Sequence, residues 1–262
     1  YWWRKIYLKN KSVKYFQLFI IAVFFTLSLA SNAFPIPDDN EVSYDVIRKN
    51  KVIGNLISTF SLASNAFPIP DDNEVSFDVI RKNKVIGNLT SKFIKDDENI
   101  VLHSVLDINI KILFIPAYKF FQETKETWRN GEFISIDGFT DFEDDREYKI
   151  DGKDEDGVFR VTGMDGLLEL DEKIIPLNYW NKNILDEKEL FDTQKGIVRK
   201  ITVKKLKDEE IKINNSKLLS EKYIFNATKH PKDKGPFPEY TLWYYNDELL
   251  KMEFKNPNDK KN

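Results

Sequence analysis

From residue 74 onward the chain alternates apolar and polar positions with a period of two. In EVSFDVI, Glu74 to Ile80, the residues Val75, Phe77 and Val79 fall on one face and Ser76 and Asp78 on the other. That is the pattern of a strand with one buried side. Comparable runs follow: NIVLHSVLDINIKILFI from Asn99, AYKFFQETKETWR from Ala117, EFISIDGFTDF from Glu132, REYKIDG from Arg146, VFRVTG from Val158 and LLELDEK from Leu167. Beyond them come GIVRKITVKKL from Gly196, EIKIN from Glu210, LLSEKYIFNATKH from Leu218, YTLWYYN from Tyr240 and LLKMEF from Leu249. Asn130-Gly131, Asp151-Gly152 and Asp165-Gly166 read as hairpin turns, because Asn-Gly and Asp-Gly tolerate the positive φ such turns require. About a dozen strands so spaced predict an antiparallel all-β domain, with a strongly curved sheet or half-open barrel as its form.

One segment breaks the alternation. Ile174 to Asp192, IIPLNYWNKNILDEKELFD, is stopped by Pro176 and is predicted to be a short helical or irregular cap. Residues 229–239, KHPKDKGPFPE, read as a Pro/Gly-rich loop, and 256–262 as a polar tail.

The N-terminus follows different rules. Residues 1–14 carry Arg4, Lys5, Lys9, Lys11 and Lys14 and no acid; Tyr15 to Ala30 is uncharged; Ser31-Asn32-Ala33 follows. A basic stretch, an apolar stretch and small residues at the cleavage positions are the pattern of a secretory signal peptide, expected over 1–33 with an N-terminal signal helix. Cleavage is expected after Ala33, leaving Phe34 as the mature N-terminus. The apolar run is shorter than the roughly 20 residues a spanning anchor needs, so an uncleaved anchor is the weaker alternative. The chain opens on Tyr1 and its first methionine is Met164, so it reads as a translated fragment or one whose start codon was read as another residue; Val13 and Leu8 are candidate starts. The expected compartment is the bacterial periplasm, with membrane contact only through the signal peptide.

Ser28–Leu56 and Ser61–Leu89 are identical except at Tyr44/Phe77, offset by 33 positions. So close a match is a recent in-frame duplication, and two units are too few for a repeat architecture. Residues 34–73 are therefore expected to be surplus, 74–255 to form a single secreted β-rich domain, and the second copy of the hairpin to be the docked one because it runs straight into the next strand.

Composition narrows the chemistry. Loss of residues 1–33 takes the net charge from −3 to −8, and the basic residues are interleaved with acids, so nucleic acid is not expected as a partner. There is no cysteine and only His103 and His230, which argues against disulfides and against zinc or copper. His103 reads as a half-buried strand residue. His230, before Pro231, has no partner in the sequence. The acids Asp141, Glu143, Asp144 and Asp145, and DGKDEDG at Asp151–Gly157, invite a calcium reading. The EF-loop spacing fails, however, with Lys153 third and Asp156 sixth. No metal or cofactor is expected, and no catalytic motif is present.

Several motifs come in a telling order: FDVIRKNKVIG at Phe77–Gly87, ETWRNG at Glu126–Gly131, YWN at Tyr179–Asn181, DTQKG at Asp192–Gly196 and LWY at Leu242–Tyr244. Over about residues 74–255 the chain resembles the bacterial secreted family catalogued as domain of unknown function 6134. The resemblance implies a signal peptide followed by a β-rich envelope domain, and no activity. The chain departs from the family's usual Asn-Gly or Asp-Gly at Asn83-Lys84 and from its usual Asp at Tyr245, both at turns or strand ends.

The candidate ligand residues are aromatic: Trp128 with Arg129 before a tight turn, Tyr179 and Trp180 in the non-strand segment, and Trp243. Trp128 and Arg129 either face a ligand or form a cross-strand aromatic pair with the arginine stacked on it. Tyr179-Trp180-Asn181 is either a lid or a core seal. The leading expectation is an exported domain binding an apolar or lipid-like ligand on its concave face. The alternatives are an envelope assembly partner binding protein through a sheet edge, and a hydrolase without a motif.

Overall fold

The computed structural model describes residues 43–48, 69, 73–81, 83–112, 115–142, 146–171, 174–213 and 216–255. The chain divides into two units, Tyr1–Ile36 and Pro37–Asn262. Every described residue lies in the second, so the expected signal peptide and its cleavage position fall outside them.

The described strands are β1 (Ser43–Arg48), β2 (Glu74–Arg81), β3 (Lys84–Asp96), β4 (Asn99–Ile112), β5 (Ile115–Arg129), β6 (Glu132–Asp141), β7 (Glu147–Glu155), β8 (Val158–Gly163), β9 (Gly166–Asp171), β10 (Glu189–Asp192), β11 (Ile197–Lys205), β12 (Glu209–Ile213), β13 (Ser216–Ala227), β14 (Glu239–Tyr245) and β15 (Glu248–Lys255). They form one all-antiparallel sheet in the order β10-β11-β13-β14-β15-β1-β2-β3-β4-β5-β6-β7-β8-β9, with β12 paired to β13. Lys205 stands opposite Tyr223 and Glu209 opposite Ser220, so β11 and β12 are one strand interrupted at 206–208.

The alternation read in the sequence is the alternation of burial. Val75, Phe77 and Val79 of β2 are buried, and they join Leu102, Trp128, Phe133, Phe159, Phe225 and Leu242 in one core. Each such side chain removed from water contributes about 1.5–3 kcal/mol. The tight turns also follow the sequence. Asn130 and Gly131 take φ of 51° and 83°, and Asn246 and Asp247 take 49° and 63°, the doubly positive geometry of a two-residue hairpin. Asp151-Gly152 is a correction. It lies inside β7, and the turn is made instead by Asp156 and Gly157, at φ 57° and 82°. Gly152 is there for packing: a Cβ on it would stand 2.8 Å from the side chain of Val161.

The sheet is curved enough to bring its two ends together. The β8–β9 turn meets the β10–β11 turn, where Met164 N donates to Lys195 O at 2.7 Å. A Cβ on Gly163 would lie 2.4 Å from Gly196 O, and Gly196 itself has φ +66°. The half-open barrel thus nearly closes at a contact only two glycines allow.

The segment Ile174 to Asp192 is not confined to a cap. It contributes a 3-10 helix, Lys182–Asp186, and the strand β10. Trp180, Ile184, Leu190 and Phe191 pack into the core formed by the sheet's inner face. Residues 175–177 run parallel to β10: Phe191 N donates to Ile175 O at 2.9 Å and Leu177 N to Phe191 O at 2.8 Å.

Both duplicated copies supply a strand, which corrects the expectation that only the second would dock. The second copy gives β2, continuous with β3. The first gives β1, inserted between β15 and β2.

Candidate functional site

Three constellations stand out, and the order of the sequence motifs explains the first. In β5, Thr124, Glu126 and Trp128 are buried, so a carboxylate lies within the core. Glu126 accepts from Trp128 Nε1 at 3.1 Å, and Asn178 Nδ2 lies 3.1 Å from both its oxygens. Burial pushes its pKa from 4.5 up to about 7, against the pull of the Asn178 and Trp128 hydrogen bonds. Asn178 opens a turn in which Asn181 N donates to Asn178 O at 2.9 Å. Asn181 then caps the 3-10 helix by accepting from Asn183 N at 3.1 Å. Tyr244 Oη donates to Tyr179 O at 2.5 Å, Tyr179 lies against Tyr240 and Phe225, and Trp180 meets Phe93 edge-on at 5.0 Å. The ETWRNG, YWN and LWY motifs therefore converge on one internal junction, where the wall holds the filling segment.

Among the aromatic candidates, Trp128, Tyr179 and Trp180 come together in this junction. Trp128 pairs across the hairpin with Phe133 at 5.3 Å, the cross-strand aromatic pair of one of the two readings. Arg129 is exposed and donates from Nε to Asn99 Oδ1 at 2.9 Å. Trp243 stands outside the core cluster. Its Nε1 donates to Glu209 Oε2 at 3.1 Å, and Lys222 and Lys251 each lie 5.0 Å from its ring.

The second constellation is ionic and was not foreseen beyond the DTQKG motif. Arg199 of β11 is almost fully buried. Its Nε donates to Asp192 Oδ2 at 2.6 Å and its Nη1 to Asp233 Oδ2 at 2.9 Å and Thr228 O at 3.0 Å. Lys195 pairs with Asp233, and Asp233 accepts from His230 N at 2.8 Å. Burial works against the Asp233 carboxylate. The bonds from Arg199, Lys195 and His230 outweigh it and hold its pKa well below the usual range. His230 has a partner after all: its Nε2 lies 2.8 Å from Asp165. His103 is partly exposed, 2.7 Å from Glu123. The network pins the 229–239 loop to the β10–β11 turn. Beside it opens a cleft of about 480 Å³ lined by Glu189, Val198, Arg199, Lys200, Thr228 and His230, charged where the expected ligand face was apolar.

The third constellation is made of backbone. Ser43–Ile47 of β1 pair with Lys251–Lys255 of β15, and Asp45–Arg48 pair with Phe77–Ile80 of β2. In the second ladder Val46 faces Val79, Asp45 faces Ile80 and Ile47 faces Asp78. With an offset of 33 between copies, Val46 and Val79 are the same residue of the repeat. The ladder is one sequence paired antiparallel with itself about its valine. Because β1 is antiparallel to both neighbours, β15 and β2 run parallel to each other with a one-strand slot between them, about 10 Å across.

The model of a domain of unknown function, DUF6134, matches residues 77–261. The chain belongs to this family. The matched span of the DUF6134 domain begins within β2 and includes β15, so β1 lies outside it. No curated protein matches the chain. It is similar to a crystal structure titled as a beta-barrel-like protein of domain of unknown function DUF1849 from Brucella abortus, at 12% identity, with a TM-score of 0.45, covering 82% of this chain and 94% of that one.

Proposed function

We propose that this is an exported envelope domain that binds a protein partner by accepting a strand between β15 and β2. The observation that carries the reading is the slot itself. The sheet takes up an additional strand there, laddered on both sides, outside the span that defines the family. Strand addition uses main-chain hydrogen bonds for affinity and alternate side chains for selectivity. The inner face, by contrast, is packed by Trp180, Ile184, Leu190 and Phe191, which weighs against a ready-made apolar cavity.

The test is displacement of the chain's own strand. Val46→Pro removes a ladder donor in the middle of β1. A fluorescent peptide of residues 41–50 is titrated into this variant, with circular dichroism confirming retained strand content. Saturable binding by the variant, with none for a scrambled peptide, is expected. A folded variant that binds neither peptide contradicts the reading.

A second reading keeps the apolar or lipid-like ligand. One segment, 174–192, fills the concave face, so its displacement would uncover an apolar surface. Native mass spectrometry of gently extracted protein, with fatty-acid uptake as a second readout, tests it; absence of both counts against it. A hydrolase without a motif needs carboxylates converging in a pocket, and Glu126 has amide and indole partners instead.

A further inference from the structure

We infer that the strand in the slot is exchangeable between molecules: the β1 segment of a second copy of this chain occupies it, giving a strand-swapped dimer. This rests on the strand-acceptor reading above and names its occupant.

Three observations carry it. First, β1 and β2 are antiparallel neighbours joined by residues 49–73, whereas a hairpin needs a connection of only about two to five residues. Nothing in the pairing requires the two strands to be consecutive in one chain, and a connection of this length lets a strand reach a neighbouring molecule. Second, the slot is selective for this sequence. One wall, β2, repeats the occupant's sequence with Phe77 in place of Tyr44, and the ladder about Val46 and Val79 is self-complementary. A peptide of another sequence would not reproduce Val opposite Val with Asp and Ile exchanged on either side. A second copy of the chain reproduces it in full. Third, β1 lies outside the span that matches the family, while the residues it ladders with, Phe77–Ile80 and Lys251–Lys255, lie within it. The strand is thus an appended element that leaves the slot as a unit.

The geometry also fixes the symmetry. When one copy lends β1 to its partner and receives the partner's β1 in return, both slots are filled through identical contacts. That is a closed two-fold exchange that leaves neither slot empty. Covalent attachment within one chain raises the effective concentration of its own strand at the slot, to about the millimolar scale. Intramolecular pairing therefore dominates in dilute solution, and the exchanged form grows with protein concentration.

The chain has no cysteine, so engineered thiols report the pairing unambiguously. Asp45 stands opposite Glu253 in the β1–β15 ladder. Three full-length samples are oxidised under mild conditions: the double variant Asp45→Cys/Glu253→Cys, and an equimolar mixture of the two single variants at low and at high concentration. Expected are an internal disulfide in the double variant and a crosslinked heterodimer in the mixture whose yield rises with concentration. An internal disulfide with no heterodimer at any concentration overturns the exchange and leaves the strand acceptor standing. No disulfide in any of the three samples overturns both, because the slot is then not filled by β1.

Discussion

Val46 and Val79 face each other across adjacent antiparallel strands, and they are the same residue of a duplicated segment. The pairing sets two nearly identical stretches of the sequence side by side in the sheet.

The Glu126–Asn178 junction gives the domain a pH-dependent stability whose sign follows from burial. The folded pKa, about 7, lies above the ordinary 4.5. Its contribution is therefore fully present below about 4.5 and is lost as pH rises through about 7. The shift corresponds to about 3 kcal/mol. Urea denaturation at pH 5 and pH 8 should show this loss in the parent and much less of it in Glu126→Gln.

Asn178→Ala removes the amide that reaches both Glu126 oxygens. A lost partner for a buried polar group costs about 1–3 kcal/mol. The filling segment should loosen first, seen as faster amide exchange in 178–186 than in β5.

Arg199→Met leaves Asp192 and Asp233 buried without their main cation. Removing one partner from a buried ionic cluster costs about 3–5 kcal/mol, measured as a fall in the denaturation midpoint. The folded pKa of Asp233 is depressed, so its contribution is present above the unfolded pKa, near 3.8, and lost as pH falls below it. Acid unfolding of the parent should therefore be steeper than that of Asp233→Asn.

Gly196→Ala places a Cβ 2.7 Å from Gly163 Cα on a residue at φ +66°. Left-handed strain alone costs about 1 kcal/mol, and the backbone contact adds to it. A melting temperature several degrees below the parent is expected, whereas Gly235→Ala, with nothing within 4 Å of the new Cβ, should change little.

The strands were legible in the sequence because a sheet with one buried face imposes period two: β2 is written in Val75, Phe77 and Val79. The hairpins at Asn130-Gly131 and Asp165-Gly166 were legible for their backbone freedom. Asp151-Gly152 misled for the same reason, since Gly152 is required by Val161 and not by a turn. The inward course of 174–192 was hidden because its apolar residues have no regular period. Only the surrounding wall shows which way Trp180 and Phe191 point. Glu126 was hidden among 43 acids, although its place two residues before the buried Trp128, on the same side of the strand, was a usable signal. The Arg199–Asp233 pair joins residues 34 positions apart, and nothing local announces it. The slot for β1 was missed because the first copy was read as redundant, when repetition of a strand also supplies a partner for its original.

Hydrogen–deuterium exchange on the chain tests strand insertion most directly. If β1 is laddered to both β15 and β2, amides within 44–47 should be protected to a degree approaching that of β3, and Val46→Pro should abolish this protection together with that of the facing edges of β15 and β2. Amides in 44–47 exchanging at the rate of an unstructured peptide, with β15 and β2 unchanged by Val46→Pro, would contradict it.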